Sequence, residues 1–306
     1  PGRWQQLVDD VVAAGENRVV VSSEYFCEAD DSVARRIAHG LGGPRLHVVV
    51  TLRPLTKILP SAWQQYVRNG LRTSYDDWLE GMLLRPPYDR PTATFWRRHH
   101  HDVLVDRWSS TVGPEGLTVV VVDEADRLML MRTFEALLGL PAGLLEPEHG
   151  RANRSSSYGE AELIRALNKE FKVRDWDADA YKTYVRPMQL HLQTERKPEP
   201  GELTIHTPRW AVERAADIGA AAQQKIAASG VRIVGDLSQL GARPAETSEA
   251  TVEPMLSPEA AAAAVIGAIL AGQSETEKQV TAVHHEPTRL LARRLADRVL
   301  KKARLR

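Results

Sequence analysis

His47-Val-Val-Val-Thr-Leu-Arg-Pro-Leu-Thr-Lys-Ile-Leu-Pro-Ser-Ala-Trp63 is a β-branched run that ends in an arginine and leads through a short loop into a helix. A run apolar on both faces fits a strand of a parallel sheet, because helices cover both faces of such a sheet. Arg18-Val-Val-Val-Ser-Ser23 and Leu117-Thr-Val-Val-Val-Val-Asp123 read the same way, the first ending near Ser22. Between them the period changes to that of helices. Trp4, Leu7, Val8, Val11 and Val12 share one face before Gly15. Further helices are expected over 30–41, from Pro60 to Gly70, from Ser74 to Leu84, from Phe95 to Ser109 and over 128–138. Ser74 is the N-cap of its helix, with Asp76 and Asp77 in the first turn. Alternation of strand and helix predicts an α/β fold, a parallel sheet covered by helices on both faces.

Beyond residue 140 the pattern weakens. Glu160 to Lys172 reads as a helix, 211–229 as an Ala-rich helix, and Val231-Arg-Ile-Val-Gly-Asp-Leu237 as one more short strand. Residues 241–258, rich in Pro, Glu, Ser, Thr and Ala, read as a linker. The expected division is therefore an α/β domain over 1–240, a linker over 241–258, and C-terminal helices over 259–306.

Composition narrows the partners. The 306 residues are 43% hydrophobic and 26% charged, the balance of a chain with a sizeable core. Formal net charge is +0, so no global field recruits nucleic acid, and any anion must be held by local arginines and backbone N–H groups. The single Cys27 excludes an internal disulfide framework and fits a reducing, cytoplasmic compartment. No signal peptide and no spanning run is visible. Pro1 stands where an initiator Met would, which leads to the expectation that a segment precedes it.

The chemistry gathers at strand ends. In open α/β sheets ligands sit outside the carboxyl ends of the strands, and the start of the next helix offers free N–H groups to an anion. Arg53 ends one strand, and Ser61 follows eight residues later near a helix start. Together they suit one phosphate, since the arginine fork donates two hydrogen bonds. This strand–Arg–Ser pattern resembles the 3′-phosphate-binding motif of sulfotransferases that use 3′-phosphoadenosine-5′-phosphosulfate. Val19-Val-Val-Ser-Ser-Glu24 is similar to the strand-end Ser-Ser-Glu of bacterial members. Arg151-Ala-Asn-Arg-Ser155, with the helix after it, looks like their Asn-Arg-Ser stretch.

The resemblance implies a P-loop NTPase-like, three-layer fold and transfer of a sulfuryl group to a hydroxyl of a carbohydrate, glycolipid or small-molecule acceptor. It implies Arg53 and Ser61 on the donor's 3′-phosphate, with Arg151 and Ser155 as further donor contacts. No metal is implied. Glu24 reads either as the base that takes the acceptor's proton or as a carboxylate capping the next helix. His47 stands at the opposite end of its strand and competes poorly for the base. One family element is missing: no Gly-x-x-x-x-Gly-Lys-[Ser/Thr] and no Lys beside a Gly-Thr cluster occurs, so the 5′-phosphosulfate loop is absent from these residues. The alternatives are a non-catalytic nucleotide-binding or interaction module of the same fold, and a P-loop kinase whose Walker loop lies outside the 306 residues.

Other features carry blander readings. His99-His100-His101-Asp102 forms a polar helix face, because consecutive helical residues point about 100° apart and share one ion poorly. Trp63, Trp78, Trp96 and Trp108 are core candidates. The stretch Arg289–Arg306 holds eight Lys or Arg against one acid. It reads either as a peripheral contact with the inner membrane surface or as a solvated helix packing Leu290, Leu291, Leu295, Val299 and Leu300.

Overall fold

The structure, a computed structural model, describes residues 2–147, 154–243 and 254–285. The helices are α1 (Arg3–Ala13), α2 (Asp31–Gly40), α3 (Leu55–Arg68), α4 (Tyr75–Leu83), α5 (Thr94–His99), α6 (His101–Val112), α7 (Met129–Leu138), α8 (Tyr158–Val173), α9 (Ala178–Ala180), α10 (Arg186–Glu195), α11 (Arg209–Ala228) and α12 (Pro258–His285). The strands are β1 (Val48–Leu52), β2 (Leu117–Val121) and β3 (Arg232–Val234). The chain is mixed α/β and 62% helical. It folds as two compact units, Pro1–Ala152 with Ile205–Glu253, and Asn153–Thr204 with Pro254–Arg306. The boundaries expected at 240 and 258 divide it differently, because Asn153–Thr204 groups with the C-terminal segment.

In the first unit the three strands form a parallel sheet in the order β1-β2-β3. Val48 pairs with Leu117, Leu52 with Val121, and Val119 with Ile233. All five residues of the middle strand are buried, as its unbroken apolar run requires. α6 packs on β1 and β2 with Leu104, Val105 and Trp108. Ala34 and Ile37 of α2 and Ile226 of α11 complete that core. β3 stops at Gly235, whose φ of 91° suits glycine. A Cβ there would stand 2.4 Å from the Val121 carbonyl oxygen, so any side chain would push β3 off β2.

A second apolar cluster lies where α3, α4 and α5 meet. Trp63, Tyr75, Trp78 and Phe95 are each at most 2% exposed, with successive ring centroids 5.3, 6.1 and 5.1 Å apart. Both buried indoles have acceptors: Trp63 donates to the Thr73 carbonyl at 3.1 Å and Trp78 to the Thr92 hydroxyl at 2.8 Å. Buried indole N–H groups need such partners. Trp108 is buried and Trp96 half-buried, in keeping with their core reading.

Two expectations fail here. Arg18–Ser22 forms no strand, and Val19 and Val20 are 45% and 58% exposed. A β-branched run becomes a strand only where another strand's edge takes its hydrogen bonds, and none of the described strands pairs with it. The Arg18 guanidinium instead donates to the Leu138 carbonyl at the end of α7. The helix expected to begin near Pro60 begins at Leu55, with Pro54 as N-cap. Leu55, Ile58 and Leu59 are buried on one face, and that burial carries the helix through Pro60. Ser61 thus lies beyond the first turn.

In the second unit the described residues are helical or irregular. Ser157 and Glu160 cap α8 reciprocally. α9 continues through a π turn, Tyr181–Val185, into α10. α12 lies against α10, with Gly267 facing Met188 and His191, and its Ala260 and Ala264 are buried. A Cβ on Gly267 would come within 2.9 Å of the His191 Cβ, so the two helices pack at glycine distance. α12 runs unbroken to His285. The basic stretch from 289 onward lies outside the described residues. No described helix is long and apolar enough to cross a membrane.

Candidate functional site

Arg53 directly follows β1, at the carboxyl end of the parallel sheet, two residues before α3. The N–H groups of Leu55 and Thr56 open that helix and have no acceptor within it. Beside them, Val122 donates to the Leu52 carbonyl at 2.9 Å and extends the β1–β2 ladder by one residue. The next residues of the β2 end turn away, Asp123 accepting from Ala125 N–H at 2.8 Å. This turn brings Glu124 to Arg53, whose Nε donates to Oε1 at 2.9 Å and whose terminal nitrogen also bonds it. Both side chains remain about 45% exposed, at 45% and 44%. A pair in that setting is worth only about 0–1 kcal/mol, so a doubly charged phosphate competes for the arginine on favourable terms.

Ser61 does not join Arg53. Its hydroxyl donates to the Ile58 carbonyl at 2.9 Å, within its own helix, and the residue is exposed. The spacing of eight residues is present, but a helix that starts at Leu55 moves the hydroxyl off the helix start.

Glu24 opens a 3-10 turn, Glu24–Glu28, with Ser23 accepting from Tyr25 N–H at 3.2 Å. Its side chain is exposed and bonds neither Arg53 nor Ser61 among the described residues. The turn is fastened by Arg98 of α5, which donates to Glu28 at 2.7 Å and lies 5.5 Å over the Tyr25 ring. Cys27 donates to the Glu24 carbonyl at 2.6 Å, and burial pushes its thiol up. His47 bonds the Thr118 hydroxyl at 2.8 Å across the opposite end of the sheet.

Arg151 lies outside the described residues. In the second unit Ser155 is exposed, and its carbonyl accepts from Arg154 at 3.2 Å. Arg154 is committed to structure. It grips both oxygens of Glu160 at 2.8 Å, Arg196 adds a bond to Glu160 at 2.7 Å, and Arg196 also holds Glu202. Burial alone would raise the Glu160 carboxyl, yet the bonds from Arg154, the Ser157 N–H and Arg196 outweigh it and hold it low. Glu202 is drawn down to about 2 against its burial, chiefly by Arg196.

The histidine run, expected as one polar helix face, is instead split between α5 and α6 at His100. His99 and His101 point into the core, where burial lowers them to about 3 and about 4, while His100 lies 3.6 Å from Asp102. Among the described residues no three His, Cys, Asp or Glu gather as ligands.

Glu124 and Arg98 were not foreseen. Glu124 was open to the same strand-end reasoning as Arg53, since it follows the third apolar run. Arg98 gave no signal within its polar stretch. Comparison with family models, with curated proteins and with solved structures finds no match.

Proposed function

We propose that this chain carries the 3′-phosphate subsite and the acceptor side of a sulfotransferase that uses 3′-phosphoadenosine-5′-phosphosulfate, on a P-loop NTPase-like α/β frame. One observation carries the reading: Arg53 stands at the carboxyl end of a parallel strand, immediately ahead of an N-terminal helix turn, in an exposed and weak ion pair. Arg53 and the first N–H groups of α3 grip the 3′-phosphate, with Glu124 swinging away. Ser61 has no part in that grip from its helical position.

In the reaction the acceptor's hydroxyl oxygen attacks sulfur and the bond from sulfur to the bridging phosphate oxygen breaks. The hydroxyl proton passes to Glu24, and 3′-phosphoadenosine 5′-phosphate leaves. The demand is in-line positioning with a base on the nucleophile, as in phosphoryl transfer. The acceptor is a carbohydrate, glycolipid or other hydroxyl compound met in the cytoplasm or at the inner membrane surface.

Calorimetry of the full protein with 3′-phosphoadenosine 5′-phosphate tests the donor half. Binding is expected, and Arg53→Ala should weaken it at least tenfold. Equal affinity in wild type and variant refutes the role given to Arg53. Glu24→Gln with undiminished sulfuryl transfer removes Glu24 as base.

A further inference from the structure

A cleft of about 360 Å³ opens in the first unit where α3 ends, between the loop into α4 and the segment before α5. Tyr66, Asn69, Arg72, Thr73, Pro91 and Thr92 are among its walls. We infer that this cleft holds the sugar rings of a polyhydroxylated acceptor, which rests on the sulfotransferase reading and narrows its substrate class.

The wall chemistry selects that class. No carboxylate lines the cleft, so a cation finds no partner there. A wholly apolar ligand would leave the polar walls unpaired, at a cost. A sugar ring offers both hydroxyls and an apolar C–H face. The Asn69 carboxamide and the Thr73 hydroxyl have no hydrogen bond to other described residues. The Tyr66 hydroxyl shares one bond with Thr94 at 3.0 Å, and two hydroxyls retain further donor and acceptor capacity. Thr92 is fixed by accepting from Trp78 at 2.8 Å, and Pro91 supplies an apolar wall. The volume lies within the usual range of small-molecule sites, about 300–1,000 Å³.

Position links the cleft to the proposed base. Burial pushes the Tyr66 phenol up, against its bond with Thr94, and Arg98, Glu28 and Cys27 lie close enough to act on it. Tyr66 also bonds Thr94 at the start of α5, the helix whose Arg98 fastens the turn that Glu24 begins. From Leu55 to Tyr66, α3 runs about 16 Å at 1.5 Å per residue. An acceptor held at Tyr66 must reach back along α3 toward a donor at Arg53, which calls for more than one ring.

Saturation-transfer NMR of the full protein with maltose, cellobiose and lactose, and no nucleotide, tests this. Ring protons of at least one disaccharide should receive saturation, and Asn69→Ala and Thr73→Val should each weaken its affinity threefold or more. Asn69 is exposed and Thr73 half-buried, and circular dichroism checks that the variants fold. No saturation of any disaccharide overturns the inference. So does affinity unchanged in both folded variants, or equal saturation of 1,6-hexanediol. Because no donor is present, a failure here leaves the Arg53 test standing, and loss of donor binding leaves this result standing.

Discussion

Replacing Glu160 with glutamine should unlock the second unit. The carboxylate is 1% exposed and takes two bonds from Arg154, one from Arg196 and one from the Ser157 N–H at 2.8 Å. Removing one partner of a buried ion pair costs roughly 3–5 kcal/mol, because the remaining charge is left uncompensated. Glutamine keeps one acceptor oxygen, but it turns an N–H₂ group toward the arginines. Arg196 retains Glu202, whereas Arg154 loses the only carboxylate it meets among the described residues. The expected loss is therefore at the lower end, about 3 kcal/mol. Hydrogen exchange read by mass spectrometry on peptides from α8 and α10 measures it locally. A loss of that size speeds exchange of the protected amides by roughly 10²-fold, since each 1.4 kcal/mol is tenfold. Glu170→Gln is the control on the same helix, because its pair with Arg174 leaves the side chains 53% and 57% exposed. It should cost no more than about 0.5 kcal/mol. Exchange in Glu160→Gln within threefold of wild type would refute the claim that this network holds the unit together.

The first unit should lose stability in mild acid. His99 and His101 protonate at about 3 and about 4 when folded, against an ordinary 6.5, so the unfolded chain binds more protons in between. Stability is then full above about pH 6.5 and falls as the pH drops toward 4. Urea midpoints should decrease from pH 7.5 to 5 in wild type, and a flat profile rules the assignment out. In the second unit Glu202 has its ordinary 4.5 lowered to about 2, so a further loss belongs between those values as the carboxylate protonates. Glu124→Gln should strengthen binding of 3′-phosphoadenosine 5′-phosphate by up to about fivefold at low salt. That is the release of a pair worth at most about 1 kcal/mol. Calorimetry showing unchanged or weaker binding would mean that Glu124 does not compete for Arg53.

What the sequence made legible follows the range of the forces involved. β1, β2 and β3 all fall within β-branched runs that read as strands, and β2, buried along its whole length, shows most plainly how burial on both faces writes itself into consecutive residues. Arg18–Ser22 has the same composition and forms no strand, since pairing depends on an edge elsewhere in the chain. Pro60 gave a local start signal for α3 that the buried face of Leu55, Ile58 and Leu59 overrode, and Ser61 moved with it.

The same distinction sorts the arginines. Arg53 reads as an anion ligand in sequence, and Arg154 stands in the loop whose Arg151 and Ser155 read the same way, each loop leading into a helix with a serine nearby. Nothing local reports the carboxylate that meets Arg53, since Glu124 is 71 positions away; Arg154 meets Glu160 only six positions on, and what is not local there is Arg196, 36 positions from that glutamate. Yet the two pairings have opposite consequences. An exposed pair worth at most about 1 kcal/mol is easily exchanged for a phosphate. A buried, bidentate one can be exchanged only by leaving a carboxylate uncompensated in the interior. Arg53 therefore remains free to take a ligand and Arg154 does not, so the candidate donor site is built on the strand end rather than on the arginine-rich loop.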